Sequence, residues 1–388
     1  MKLSRHIIIT LFTFLLGFGV ISAVHASEPA YQIVKTEKIK NQQYHVKDTS
    51  GFGYDNSHRE KIISLKDYDH STLQASQVRT YQFKQGKKNV RVTFYYVTVG
   101  GKSAWVWNGY LASGRASFDI KAPDAIAMDD QNGKVLYSKN GNTNVPVASM
   151  IKILTVYMTF QKIANHKGSW NNTIKVPENL AKMSVDQTCG GFELKAGNSY
   201  KISDLYQAAM IDSSNAATTL LGIWVSGSNT NHIKAMRSLV ASWGIKDSYL
   251  ISASGLDNTD LSKFSTVFPG SGSHDQNLVS VNGIAVIARH LINEYPQVLQ
   301  VSSKNSAKVA GQTIDNVNTT LPGRRFNNPS LHIDGLKNGY TDRAGYCFVG
   351  TGHVPGKHRL ITVVVNDESM STDTNALMKH VYSENIMK

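Results

Sequence analysis

The run Val145-Pro146-Val147-Ala148-Ser149-Met150-Ile151-Lys152-Ile153-Leu154-Thr155 decides how this chain is read. After Ser149 the apolar residues Met150, Ile153, Leu154, Val156, Tyr157 and Phe160 recur at helical spacing, with no glycine or proline before Gly168. The pattern predicts a buried helix that begins near Ala148 and carries Ser149 in its first turn. Residues three apart share a helix face, so the Lys152 amine is expected beside the Ser149 hydroxyl. Lysines are rarely buried without a partner, and burial lowers their pKa until the amine can accept a proton. Ser149 is therefore a candidate activated nucleophile. Ser-x-x-Lys also arises by chance, as a plain helix start with a solvated lysine. Here it is the only such spacing in 388 residues, and it is expected to open the most apolar helix of the mature chain.

Composition is that of a folded globular protein, 41% hydrophobic and 18% charged, with room for two or three domains. Residues 1–26 read as an export signal, cleaved after Ala26: Lys2 and Arg5 lead, residues 7–24 are apolar, and Val24-His25-Ala26 offers a cleavage site. Kept uncleaved, the apolar run is just long enough to span a bilayer. The two cysteines, Cys189 and Cys347, exclude a disulfide framework and leave a single bridge open. No metal and no cofactor is expected, because the histidines are scattered and no cluster has ligand spacing. Formal charge is +13, or +11 once Lys2 and Arg5 are removed, and residues 27–116 hold 14 Lys/Arg against 7 Asp/Glu. An exported basic surface suits an anionic polymer or membrane, or is merely a soluble face. Nucleic acid is not expected as a partner.

Residues 27–115 read as a small β-rich module. Val90-Arg91-Val92-Thr93-Phe94-Tyr95-Tyr96-Val97-Thr98-Val99 is strand-prone, and Gly100-Gly101 makes a turn before Ala104-Trp105-Val106-Trp107. The ending Trp105-Val106-Trp107-Asn108-Gly109-Tyr110-Leu111 resembles the last strands of bacterial SH3-type wall-binding modules. Its aromatics could stack on sugars or simply fill a compact core. Residues 112–118 are small and polar and read as a linker. From 118 to 388, a hairpin (124–129 and 134–137) precedes helices at 203–209, 216–225, 231–243 and 280–295. Strands at 331–340, 344–350 and 358–365 and a last helix from about Thr374 follow. Strands first and last with helices between imply an α+β domain, one sheet closed by both ends with an inserted helical part.

Two further motifs stand out. Ser213-Ser214-Asn215 lies in a short polar turn between apolar helices, where a hydroxyl and a carboxamide can point together into a cleft. Helix capping by Ser213 or Ser214 explains it equally well. Asp334-Gly335-Leu336-Lys337-Asn338-Gly339-Tyr340-Thr341 lies on the first late strand. A glycine there suggests close approach by a ligand or backbone, and Lys337 shares its face, giving a cation beside an edge where an extended peptide could dock. A solvated lysine next to a bulge glycine is the plainer explanation.

Ser149-x-x-Lys152, Ser213-x-Asn215 and Lys337-x-Gly339, in this order, resemble the penicillin-binding protein and serine β-lactamase superfamily. The flanks look like D-alanyl-D-alanine carboxypeptidases: Ala253-Ser254-Gly255-Leu256, Tyr295-Pro296-Gln297-Val298-Leu299, Leu321-Pro322-Gly323 and Ala344-Gly345-Tyr346-Cys347. The resemblance covers roughly 120–386. It implies a β-lactamase/transpeptidase-like catalytic domain whose Ser149 attacks the terminal D-Ala-D-Ala bond of a peptidoglycan stem peptide. Lys152 would then be the base and Ser213 the proton relay. Asn215, Lys337, Asn338, Gly339, Tyr340 and Thr341 would bind substrate, with Ser149 and Tyr340 N–H groups as oxyanion hole. β-Lactams would inhibit, and attachment to the wall or the outer membrane face would come from residues 7–24 or 27–116. Two departures stand out: Asn338 replaces the usual threonine, which is expected to slow the enzyme, and Asn366-Asp367-Glu368 stands where some members carry an arginine. An impaired wall-binding homologue is the first alternative. A serine β-lactamase is the second, and the Glu-x-x-x-Asn loop it needs is absent between Lys152 and Lys337.

Overall fold

The computed structural model describes residues 32–69 and 71–384, so the expected signal segment lies outside the described residues. Residues 32–118 and 119–382 form two compact units.

In the first unit, β1 (Gln32–Val46), β2 (Phe52–Tyr54), β3 (Lys61–Ser64), β4 (Thr72–Gln85), β5 (Lys88–Val99), β6 (Lys102–Trp107) and β7 (Leu111–Ser113) make one antiparallel sheet. Their order is β3-β2-β6-β5-β4-β1-β7. Strand β5 explains its own apolar run: Val97 and Val99 join one cluster with Leu73 and Val106, while Val92 and Phe94 join another with Phe83 and Trp105. A strand covered on both faces has no need to alternate with polar residues. Trp105 is 1% exposed, donates Nε1–H to Asn56 Oδ1 (2.8 Å) and lies under the Arg79 guanidinium, so it belongs to a core. The SH3-type resemblance goes no further than β-richness. Strands of 15, 14 and 12 residues dominate, and no pairing of β3 with β7 closes a barrel among the described residues. The start of the expected linker is ordered instead, because β7 pairs with β1 through Tyr44 opposite Ser113.

The second unit begins with β8 (Asp124–Asp129) and β9 (Val135–Lys139), followed by short β10 (Asn144–Pro146). Next come α1 (Lys152–Ala164), β11 (Thr173–Lys175), α2 (Glu178–Ser184), β12 (Ser199–Lys201), α3 (Ile202–Ile211), α4 (Asn215–Ser226) and α5 (Asn229–Ser242). Then follow α6 (Asn258–Leu261), β13 (Leu278–Ser280), α7 (Val281–Glu294), α8 (Leu299–Ser302), β14 (Ser306–Val309) and β15 (Gln312–Asp315). The chain returns to β16 (Ile333–Thr341), β17 (Gly345–Gly352) and β18 (Leu360–Val365) before α9 (Met370–Ser383). The sheet order β16-β17-β18-β8-β9 joins the first hairpin to the late strands through β8 and β18, with Asp129 opposite Leu360. The sequence pattern thus gives the right architecture, α+β with a helical insertion. Helix α1 is buried along residues 152–160 and packs against α3, α4 and α7. Edge strand β16 is anchored by Arg359, whose two Nη groups donate to both Asp334 oxygens (2.6 and 2.8 Å). That fork is the strong, oriented form of ion pair.

Candidate active site

Ser149 does not sit in α1 itself but in the 3-10 turn Ala148–Ile151 that leads into it. Ala148 takes a left-handed φ of 44°, a costly conformation held from outside the turn. The outside element is Gly255 (φ 93°): a Cβ there would lie 2.1 Å from the Ala148 carbonyl oxygen, so only glycine fits. Lys152 opens α1 and is fully buried. Its Nζ lies 2.6 Å from Ser149 Oγ, 2.7 Å from Asn215 Oδ1 and 2.7 Å from the Ser254 carbonyl oxygen. Two of these neighbours are carbonyl oxygens and can only accept. A neutral amine has two N–H bonds for them, which leaves its lone pair facing the Ser149 O–H. Burial holds the Lys152 pKa well below the ordinary lysine value, the neighbouring Lys337 charge lowers it further, and Asp212 and Cys189 pull it back.

Ser213 lies between α3 and α4 with φ 63°. The capping role falls to its neighbour: Ser214 Oγ accepts from Ala217 N–H (3.3 Å), so the Ser213 hydroxyl is spared for the cleft. Lys337 Nζ donates to Ser213 Oγ and to the Asn338 carbonyl oxygen, each at 2.9 Å. Far from solvated, Lys337 is 1% exposed, and burial lowers its pKa to about 7 against the pull of Asp212. Asn215 Oδ1 accepts from Lys152, and its Nδ2 donates one hydrogen to the Cys189 carbonyl (2.9 Å), with a second N–H on the same nitrogen.

Alternation along β16 sorts the rest. Gly339 faces the nucleophile, and a Cβ there would sit 3.0 Å from Ser149 N. Asn338 turns to the opposite face, 8% exposed, with Nδ2 4.0 Å from Met370 Sδ at the head of α9. Tyr340 is 52% exposed and stands beside Tyr346, its hydroxyl donating to Asp342, so only its main chain borders Gly339. Thr341 Oγ1 accepts from Ala344 N–H (3.1 Å), which leaves its O–H able to donate. The structure therefore brings Ser149, Lys152, Ser213, Asn215, Lys337 and Gly339 together and leaves the Asn338 side chain at the margin.

The sequence reading passed over the turn at 189–192 and Asp212. Phe192 N–H donates to Asp212 Oδ2 (2.6 Å), and a Cβ on Gly191 would come within 2.6 Å of the same oxygen. The signal was present as Gly190-Gly191 and as an acid just before Ser213, but neither has meaning until the segments meet. Cys189 and Cys347 are free and buried, each thiol pushed up to about 12 chiefly by desolvation.

A family model described as D-alanyl-D-alanine carboxypeptidase matches residues 112–369, and the chain belongs to that family. Among relatives, the D-alanyl-D-alanine carboxypeptidase DacD of Salmonella typhimurium is 28% identical over 266 residues, 67% of this chain and 63% of its own length. The chain thus spans less than two thirds of that relative. Among solved structures, the peptidoglycan synthesis regulatory factor (PBP3) of Streptococcus pneumoniae is 32% identical, with a TM-score of 0.64 over 68% of this chain and 72% of the other. Penicillin-binding protein D2 of Listeria monocytogenes, in its ampicillin-bound form, is 26% identical, with a TM-score of 0.55 over 68% and 98%.

Proposed function

We propose that this chain is a serine-type D-alanyl-D-alanine carboxypeptidase, acting outside the cell on peptidoglycan stem peptides and acylated by β-lactams. The observation that carries the reading is the buried Lys152 amine, oriented by two carbonyl oxygens with its third neighbour the Ser149 hydroxyl at 2.6 Å. Ser149 Oγ attacks the carbonyl of the terminal peptide bond as its proton passes to Lys152 Nζ. That proton then passes from Lys152 through Ser213, the hydroxyl that Lys337 holds, to the departing D-alanine nitrogen, so the C–N bond breaks to a neutral amine and Lys152 is a free base again. Water then cleaves the ester and restores the serine. The Ser149 N–H beside Gly339, with that of Tyr340, holds the oxyanion, and the Lys337 charge and Thr341 hydroxyl attract the substrate carboxylate. The ampicillin-bound Listeria relative supports β-lactams as mimics of the same substrate. Residues 27–115 are assigned to anionic wall polymers on their charge.

Labelling with a fluorescent penicillin tests this. Wild type should carry the label on Ser149 by peptide mapping, and Ser149→Ala should carry none. An unlabelled wild type, or label on another residue, would identify an inactive homologue or a different chemistry. Hydrolysis of the drug at a fast steady rate would mark a β-lactamase instead.

A further inference from the structure

Lys152 leans on a stretch of chain that has no helix or strand of its own. Residues 251–255 supply the Ser254 carbonyl to the amine and the bare Gly255 to the turn at Ser149. Helix α1 grips that stretch a second time, where Thr155 Oγ1 donates to the Ala253 carbonyl (2.9 Å). Lys152 and Thr155 thus take successive carbonyls, at the three-residue spacing of one helix face. A helical threonine commonly returns its hydroxyl to the carbonyl four residues back. Thr159, Thr218 and Thr219 do so, at 2.9, 2.7 and 2.9 Å. Among these four buried threonines Thr155 alone reaches out of its helix.

Behind Thr155 stands His232 of α5, fully buried. Its Nε2 lies 3.1 Å from Thr155 Oγ1, and its Nδ1 lies 3.2 Å from Ser226 Oγ at the end of α4. The Thr155 hydroxyl has one hydrogen and gives it to Ala253, so the ring nitrogen beside it must be the donor. His232 therefore carries its hydrogen on Nε2 and accepts from Ser226 at Nδ1. Burial favours that neutral ring, lowering its pKa to about 4. The ring has room because residue 222 of α4 is glycine: a Cβ there would lie 2.6 Å from His232 Cδ2. We propose that His232 is a positioning residue for acylation, donating to Thr155 so that the hydroxyl turns from α1 to Ala253 and holds the adjoining Ser254 carbonyl on Lys152. The proposal rests on the carboxypeptidase reading for the reaction it serves, not for the chain of hydrogen bonds.

Stopped-flow acylation of the full-length chain by a fluorescent penicillin separates the limiting rate from the apparent affinity. His232→Leu, which fills the space and cannot donate, should lower the limiting rate about ten- to a hundred-fold with the affinity unchanged. Thr155→Val, which leaves the ring in place, should do the same, and the double variant should be no slower than the slower single one. His232→Gln, whose amide N–H can stand in for Nε2–H, should recover most of the lost rate. If His232 only fills the core, His232→Gln does no better than His232→Leu and the losses of His232→Leu and Thr155→Val add; either result overturns the proposal. Should His232→Leu fail to fold, Thr155→Val decides, and a wild-type rate in it overturns the proposal. The ring nitrogens give a readout without any reaction. In the chain labelled with 15N-histidine, the His232 signals, assigned by their loss in His232→Gln, should show a protonated Nε2 and a bare Nδ1; the opposite tautomer overturns the proposal. Should wild type take no label, the carboxypeptidase reading falls by itself, and the tautomer still decides whether His232 directs Thr155.

Discussion

Lys152 is held by Ser149, Asn215 and Ser254 at once, so its removal deletes a base and strands two buried carbonyls. Lys152→Ala should lower β-lactam acylation between about a hundred- and ten-thousand-fold, the range of a positioned general base, with the circular dichroism spectrum kept. Asn338 deserves a smaller expectation than its place in the motif suggests. Because its side chain turns to Met370, Asn338→Thr should raise the acylation rate by less than about ten-fold, or about 1.4 kcal/mol. A larger rise would show that the amide obstructs the cleft directly. Ser149 and Lys152 were legible in the sequence because three residues along one helical turn is a local relation. The division of labour between Ser213 and Ser214 was not. Which hydroxyl caps α4 depends on the left-handed φ of Ser213 and on Lys337, 124 residues away.

The 3-10 turn before α1 is shaped by an element distant in the chain. At Gly255 an added Cβ would lie 2.1 Å from the Ala148 carbonyl oxygen and 2.9 Å from the Ser149 nitrogen, so it would displace the turn that carries the Ser149 N–H. Gly255→Ala should therefore abolish penicillin labelling even where the soluble chain is recovered, and labelling of a folded Gly255→Ala protein would remove the proposed part played by this contact. Within α1 the cost is one of packing. Ile153→Ala, at a fully buried position, should destabilise by about 2–5 kcal/mol in urea unfolding with the slope unchanged. Helical periodicity made α1 readable, and runs of β-branched residues did the same for β18. The 3-10 geometry of Ala148–Ile151 was not readable, since Gly255 imposes it.

For the molecule as a whole, the buried lysines are a standing cost. Lys337 has a folded pKa of about 7 against an ordinary value of 10.5, so between these the unfolded chain binds a proton that the folded one does not. Stability from this group therefore rises with pH across that window, and the full penalty applies below it. Lys337→Met should raise the melting temperature most near pH 6 and progressively less toward pH 9; an equal gain at both would mean that packing, not charge, is responsible. If residues 27–115 do hold anionic polymers, sedimentation of the chain with purified walls should weaken as salt is raised. Charge was countable from the sequence, and a compact core was one of two uses it allowed for Trp105; what decides for the core, the Asn56 acceptor 49 residues away, was not legible. Much of the site is made of main chain: the carbonyls of Cys189, Ser254 and Asn338 and the amide of Ser149. Inheritance edits side chains only. Substitution can reach that floor only through its glycines, Gly255 and Gly339, where an added Cβ would meet backbone, so variants that change what the cleft admits are expected at the rim, at positions such as Tyr340.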